Sequence, residues 1–219
     1  MIKQVLPRSC RGVRRGERLT NCPRARRADQ DYRAFTLIEL IVVVGIIIVL
    51  AGLVLSTAGY ARKKSARARA ETEIAAISAA CESYKADNGI YPRDNATNQY
   101  TDTLDARQNF DATQDVYNHA SFYLYTQLSG DSSGNRNPTG KSYMTFKPNM
   151  LLPAGGSGTV TAISDPFGNS YGYSTANQAD PVTPKGYNPT FDLWSTAGAA
   201  PSPTPVPPAT QQNLWTKNW

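Results

Sequence analysis

Leu40–Leu55 reads LIVVVGIIIVLAGLVL, and no charged residue follows it until Arg62. As a helix, Leu40–Ala61 covers roughly 33 Å, enough for a hydrocarbon core of about 30 Å. A 219-residue chain has room for one modest folded domain and cannot wrap such a run on every side. The segment therefore predicts membrane insertion. Two other readings fit the same run: an ordinary secretory signal with Ser56-Thr57-Ala58 as the cleavage site, and a signal anchor that is never cut. The run slightly exceeds the usual signal core, and the basic stretch before it is long. Seven Lys/Arg lie in residues 14–33 and five (Arg62, Lys63, Lys64, Arg67, Arg69) lie just past the span, a balance that favours a cytoplasmic N-terminus.

The formal charge of +6 and pI near 9.3 suggest a nucleic-acid binder until the charges are placed. Residues 1–33 hold ten Lys/Arg against Glu17, Asp29 and Asp31, a net +7, so the rest of the chain is −1. From Ala70 onward eight basic residues face thirteen acidic ones. The basicity belongs to a leader, and the body is a poor partner for phosphate backbones. The basic cluster 62–69 has no interleaved aromatic residues and reads as a solvated or headgroup-contacting face rather than a nucleic-acid site. Cys10 and Cys22 lie in the leader, so its removal would leave Cys81 with no intramolecular disulfide partner.

Glu39 stands at the mouth of the apolar run, where a lone carboxylate costs on the order of 2.5–3.5 kcal/mol at bilayer depth. It either lies shallow near the headgroups or meets a cation in an assembled state. A cut before Phe35 would create such a cation, the α-ammonium of a neighbouring subunit. An ion pair in low dielectric also fixes register, because either charge left alone is expensive.

Arg33-Ala34-Phe35-Thr36-Leu37-Ile38-Glu39-Leu40 resembles the prepilin peptidase site of type IV pilins and type II secretion pseudopilins. The resemblance implies cleavage between Ala34 and Phe35, N-methylation of Phe35, and pairing of Glu39 with a neighbour's N-terminus. Ala34 stands where the family usually has Gly, and the leader is unusually long. Related subunits often carry Pro at the position of Ser56, so any kink here falls to Gly52 or Gly59.

Beyond the apolar run, Ala61–Asn88 contains neither Pro nor Gly, and Ile74, Ile77, Cys81 and Tyr84 recur at helical spacing. Gly89 fits the C-terminal cap, so one helix of roughly 80 Å is expected to end near Asn88. Gly45, Gly52 and Gly59 recur every seven residues on one face, a candidate seam for close helix approach in lipid and also a source of local weakness.

Tyr84-Lys85-Ala86-Asp87-Asn88-Gly89-Ile90-Tyr91-Pro92 resembles the helix-end signature of the major pseudopilin of type II secretion, in which Asn88, Gly89, Tyr91 and Pro92 end the helix and start an extended segment. The aspartates of 93–117 follow no calcium-loop spacing and read as a solvated loop. His119–Leu128 predicts a second helix, and Ser142–Phe146, Thr159–Ile163, Ser170–Ser174 and Thr190–Trp194 predict short strands of one small antiparallel sheet packed on the Ile74/Ile77/Tyr84 face. Asp165-Pro166-Phe167-Gly168-Asn169 reads as a turn. Its Asp165, Pro166 and Gly168 match that family's DPWGN turn, Phe191–Ser195 its last strand and Asn218-Trp219 its ending. Leu214, Trp215 and Trp219 are expected to dock back on the sheet.

The resemblance also implies calcium in the loop before that ending. Here the loop is Pro-rich (197–212) with no carboxylate after Asp192, which argues against a site of that kind, since calcium takes six to eight oxygens, several of them carboxylate. The prolines would stiffen it as a spacer. No other cofactor or metal is expected.

Enzymatic readings find little footing. His119, the single histidine, has no triad or metal partner at a recognised spacing. Gly140-Lys141-Ser142 lacks the phosphate-loop context, because Gly134 falls one place wrong. The expected architecture is α+β and type IV pilin-like: leader 1–34 removed, assembly helix 35–61, amphipathic continuation 62–89, and a small α+β head 90–219. The expected function is structural, not enzymatic: a pseudopilin held in the inner membrane by one span, head periplasmic, polymerising with identical subunits into the filament of a type II secretion system. Prepilin peptidase, minor pseudopilins and the secretion assembly platform are the implied partners, and nucleic acid is not. The rivals are a surface type IV pilin for adhesion, motility or DNA uptake, and a signal-cleaved soluble binding protein.

Overall fold

The computed structural model describes residues 35–96, 99–109, 111–183, 185–198 and 212–219. The leader 1–34 and most of the Pro-rich loop lie outside them. The elements run α1 (Leu37–Asn88), α2 (Tyr100–Thr103), α3 (Asp115–Ser129), a 3₁₀ turn (Pro148–Met150), β1 (Leu151–Leu152), β2 (Ala162–Ile163), β3 (Gly172–Ser174), α4 (Ala176–Ala179), β4 (Asp192–Ser195) and β5 (Thr216–Lys217). This is an α+β fold. The chain divides into two units, Met1–Val49 and Leu50–Trp219.

In the first unit, the described residues are the start of α1, and its apolar side chains are exposed throughout. By length and composition α1 can cross a membrane.

The second unit has two adjoining apolar clusters. In one, Ile74, Ile77, Ala80 and Cys81 of α1 pack with Leu124, Tyr125 and Leu128 of α3 and with Tyr171, Tyr173, Phe191 and Leu193 of the strand region. The 3–4–3 spacing read from the sequence thus supplies the core-facing stripe. Cys81 is buried within it, and burial, with Glu82 adding repulsion, pushes its thiol well above the ordinary range, so it packs as an inert apolar group. In the other cluster, Leu104, Ala106, Tyr117 and Ala120 surround Trp194 and Trp215.

Two antiparallel sheets form rather than the single sheet expected. β1 pairs with β2 (Leu151↔Ile163), and β3–β4–β5 form the second in that order, with Gly172↔Trp194 and Trp194↔Lys217 in register. An isolated bridge, Ser164↔Ser170, links β2 to β3. Ser142–Phe146 is not a strand. The amides of Tyr143 and Met144 both donate to the Leu128 carbonyl (2.7 and 3.1 Å), so the segment caps α3 instead of entering a ladder. Helix α3 itself begins at Asp115, four residues before the expected start, and ends on Gly130 at φ 75°.

The stretch 93–117 is also not the solvated loop expected. Asp94 and Asp105 are buried, and Arg93 bridges both oxygens of Asp102 at 2.9 Å. The Asp105 carboxylate accepts the amides of Arg107 (2.8 Å) and Gly186 (3.0 Å). Asp105 thus folds the loop by supplying missing backbone partners, while Asp102 ties it through the Arg93 and Thr175 side chains. At the C-terminus Trp215 is buried and Trp219 stacks on Tyr187 (4.7 Å between centroids), as expected of both. Leu214 does not dock and stays 54% exposed.

Candidate functional site

The N-terminal part of the described chain combines three features: an exposed aromatic residue, a carboxylate four residues on, and an exposed apolar helix. Ala34 lies outside the described residues. Phe35 precedes the helix and is 82% exposed, open to a modifying enzyme. Thr36 is the N-cap: its hydroxyl accepts the Glu39 amide at 3.3 Å, and the Glu39 carboxylate faces the Thr36 amide and hydroxyl at 3.5 and 3.4 Å. This is a capping box, Thr-x-x-Glu, held with long bonds. The pattern stands in the sequence, yet the reading of Glu39 as an ionic partner alone passes over it. Glu39 complements the positive end of its own helix and still presents an exposed carboxylate.

Gly45, Gly52 and Gly59 each have open space where a Cβ would stand. Among the described residues nothing therefore requires glycine at these positions.

The helix-end residues do what their types allow. Gly89 takes φ 77° and its amide donates to the Lys85 carbonyl (2.7 Å), while the Asn88 side chain donates to the Tyr84 carbonyl (2.9 Å) and the Tyr143 hydroxyl (3.1 Å). Tyr91 is buried against Phe191, and its hydroxyl donates to Glu82 (2.9 Å). The Pro92 carbonyl accepts the Tyr173 hydroxyl at 2.7 Å. These residues anchor the chain leaving α1 to the strands.

Asp165 organises the second signature. One of its oxygens accepts the amides of Phe167 (3.0 Å) and Asn169 (2.8 Å), and the other accepts the Ser195 hydroxyl (2.5 Å), tying the turn to the end of β4. Gly168 supplies φ 90° for the turn. The turn lies against the basic part of α1: Pro166 borders a groove with Arg62 and Arg69, and Phe167 borders another with Lys63, Lys64 and Arg67. A second tie nearby joins α1 to the residue before β3, where the Tyr171 hydroxyl donates to Glu73 (2.8 Å), itself paired with Arg69 (2.7 Å).

Burial raises the Asp165 carboxyl above its ordinary range, opposed by the Ser195, Asn169 and Phe167 bonds and assisted by Glu73. A carboxyl with a raised folded-state pKa binds its proton more tightly folded than unfolded. Its ionisation therefore costs stability at neutral pH, and that cost is relieved as pH falls through the folded value toward 3.8. Asp165→Asn keeps an acceptor for the two amides and offers its NH₂ to Ser195, so it should unfold within about 1 kcal/mol of the parent at pH 7. On acidification to pH 4 the parent should gain relative to this variant. Asp165→Ala orphans three donors and should cost about 2–4 kcal/mol at either pH. Urea unfolding of the full chain in detergent, followed by tryptophan fluorescence, reads both; an Asn variant that tracks the parent across the range would discard the raised carboxyl.

Among the described residues no group of three or more His, Cys, Asp or Glu is placed to hold a metal ion. His119 stacks on Tyr100 (4.4 Å), and its Nδ1 lies 2.8 Å from the Asp115 carbonyl of its own helix.

In a comparison with protein families, residues 30–55 match the prokaryotic N-terminal methylation motif. No curated protein and no solved structure matches the chain. The matched motif contains Ala34, Phe35, Glu39 and the glycine at 45, and it belongs to structural rather than enzymatic proteins. It implies prepilin peptidase processing and pilin-like polymerisation, and with the apolar span of α1 it fits a single-pass membrane anchor. A prepilin-like methylation motif at the head of a long apolar helix, on an α+β chain, supports a place for this protein in the type IV pilin-like family.

Proposed function

We propose that the chain is a pseudopilin of the major type in a type II secretion system, cut between Ala34 and Phe35 and N-methylated on Phe35. Identical subunits polymerise through α1 into a filament that crosses the periplasm and moves folded proteins outward. Minor pseudopilins and the secretion assembly platform are its partners, the inner membrane holds the subunit before assembly, and calcium has no part in the head. The observation that carries the polymer reading is the methylation motif on a helix whose apolar side chains from Leu37 to Leu55 are exposed in the single chain. The helix-end wording YKADNGIYP, the DPFGN turn and the closing Asn-Trp favour a secretion subunit over a surface pilin.

Intact-mass and fragment analysis of the chain purified from membranes is the decisive test. The expected mature N-terminus is N-methyl-Phe35, whereas a chain beginning at Gly59 would make it a secreted soluble protein. Deletion of the gene should then abolish protein secretion and leave twitching intact; the reverse outcome makes it a surface pilin.

A further inference from the structure

We propose that the groove beside the basic stretch of α1 holds the headgroup of an anionic phospholipid. The groove encloses about 500 Å³, with Tyr60, Lys63, Lys64 and Arg67 on one side and Phe167 and Leu214 among the residues on the other. It rests on the membrane-anchored reading and adds a ligand to it.

Three observations converge on that occupant. The first is distance. The run of exposed apolar residues along α1 ends at Leu55, and Tyr60 follows about 7.5 Å further along the helix, with Lys63 and Lys64 roughly 12–13.5 Å along. The headgroup layer of one leaflet is about 5–7 Å deep. Tyr60, 73% exposed, therefore stands at its outer edge, and the two lysines just above it can snorkel back to phosphate.

The second is uncompensated charge. No acidic residue lies between Glu39 and Glu71, and among the described residues no carboxylate pairs with Lys63, Lys64 or Arg67. Arg67 donates to the carbonyls of Asn213 (3.4 Å) and Trp215 (3.3 Å), which hold its guanidinium in place without neutralising it. Phosphate would supply the missing charge, and the glycerol and upper acyl carbons would cover Leu214, which is otherwise left bare.

The third concerns the rival, an acidic face on a second copy. The body's carboxylates are largely spent. Asp94, Asp105, Asp131, Asp165 and Asp192 are buried, and Glu73, Asp87 and Asp102 are already ion-paired. A second copy thus offers sparse negative charge, while an anionic leaflet offers it continuously.

The full chain in detergent micelles doped with equal phosphatidylglycerol and phosphatidylcholine tests this by native mass spectrometry. The parent should retain phosphatidylglycerol preferentially, with about fivefold from each lysine and on the order of 25-fold from the pair. Lys63→Gln/Lys64→Gln should lower the ratio about 25-fold, leaving only the preference that Arg67 supplies, with far-UV circular dichroism unchanged, and Lys63→Arg/Lys64→Arg should keep it. Lys141→Gln/Lys147→Gln, on other faces of the head, should change nothing. Equal retention of both lipids by the parent, or an unchanged ratio in the Gln pair, overturns the proposal. So does carbodiimide coupling of Lys63 or Lys64 to a second copy that added phosphatidylglycerol fails to suppress. Carbonate extraction of cell membranes separates the two levels: a chain released by carbonate fails the anchor reading, and a retained chain without lipid preference fails only this one.

Discussion

Gly172→Ala should destabilise the folded body by about 3 kcal/mol, at the upper end of what an overpacked site costs. Gly172 pairs with Trp194 across β3 and β4. A Cβ there would overlap Cε2 and Cζ2 of that ring. The indole cannot step aside, because it is fully buried. It donates to the Tyr117 hydroxyl at 3.1 Å and stacks on Trp215 at 5.9 Å, and Trp219 closes a third side. Trp194→Ala alone should cost about 3–5 kcal/mol. The double variant should cost clearly less than the sum, because removal of the ring makes room for the methyl group. Urea unfolding of the full chain, followed by far-UV circular dichroism, gives the four corners of the cycle. A Gly172→Ala variant within about 0.5 kcal/mol of the parent would show that the sheet opens more easily than this packing allows.

That contact explains part of what sequence reading could and could not reach. The long helix was legible because its signals are redundant: an apolar run, a 3–4–3 stripe through Ile74, Ile77, Cys81 and Tyr84, and Asn-Gly at its end. The strands were legible only in part because they are two to four residues long. At that length an alternating pattern cannot develop, and β1 and β5 carry too few residues to stand out. Ser142–Phe146 has the aromatic content of a strand, but its amides are spent on a helix carbonyl. Gly172 looks like any glycine in a weak strand until the ring opposite it is known. The aspartates of 94–111 read as solvated because bonds such as those of Asp105 and Asp111 to loop amides leave no periodic trace. In the candidate site, the Thr36–Glu39 capping box stands in the sequence as Thr-x-x-Glu, where the same carboxylate also carries the charge that a membrane makes costly.

The two roles of Glu39 can be separated by choice of substitution. Gln at the third helical position serves a capping box as Glu does, so Glu39→Gln should keep the first turn of α1 while removing the charge. Glu39→Ala removes both. If the carboxylate pairs with the N-terminal ammonium of a neighbouring subunit, each Gln-bearing interface leaves that cation buried without a partner, at about 3–5 kcal/mol. Polymer should then fall by two to three orders of magnitude in both variants, with membrane insertion and N-methylation of Phe35 unchanged. Glu39→Asp, which retains the charge on a shorter arm, should lie between them and the parent. Sheared-filament yield against total membrane subunit measures this directly, with the N-terminal mass as control for processing. Loss of filaments in the Ala variant alone, with Gln assembling normally, would assign Glu39 to its own helix cap and remove the ion pair from the assembly mechanism. The long bonds of 3.3–3.5 Å around the box argue for the other outcome, because a cap that loosely held leaves the carboxylate free to turn toward a neighbour.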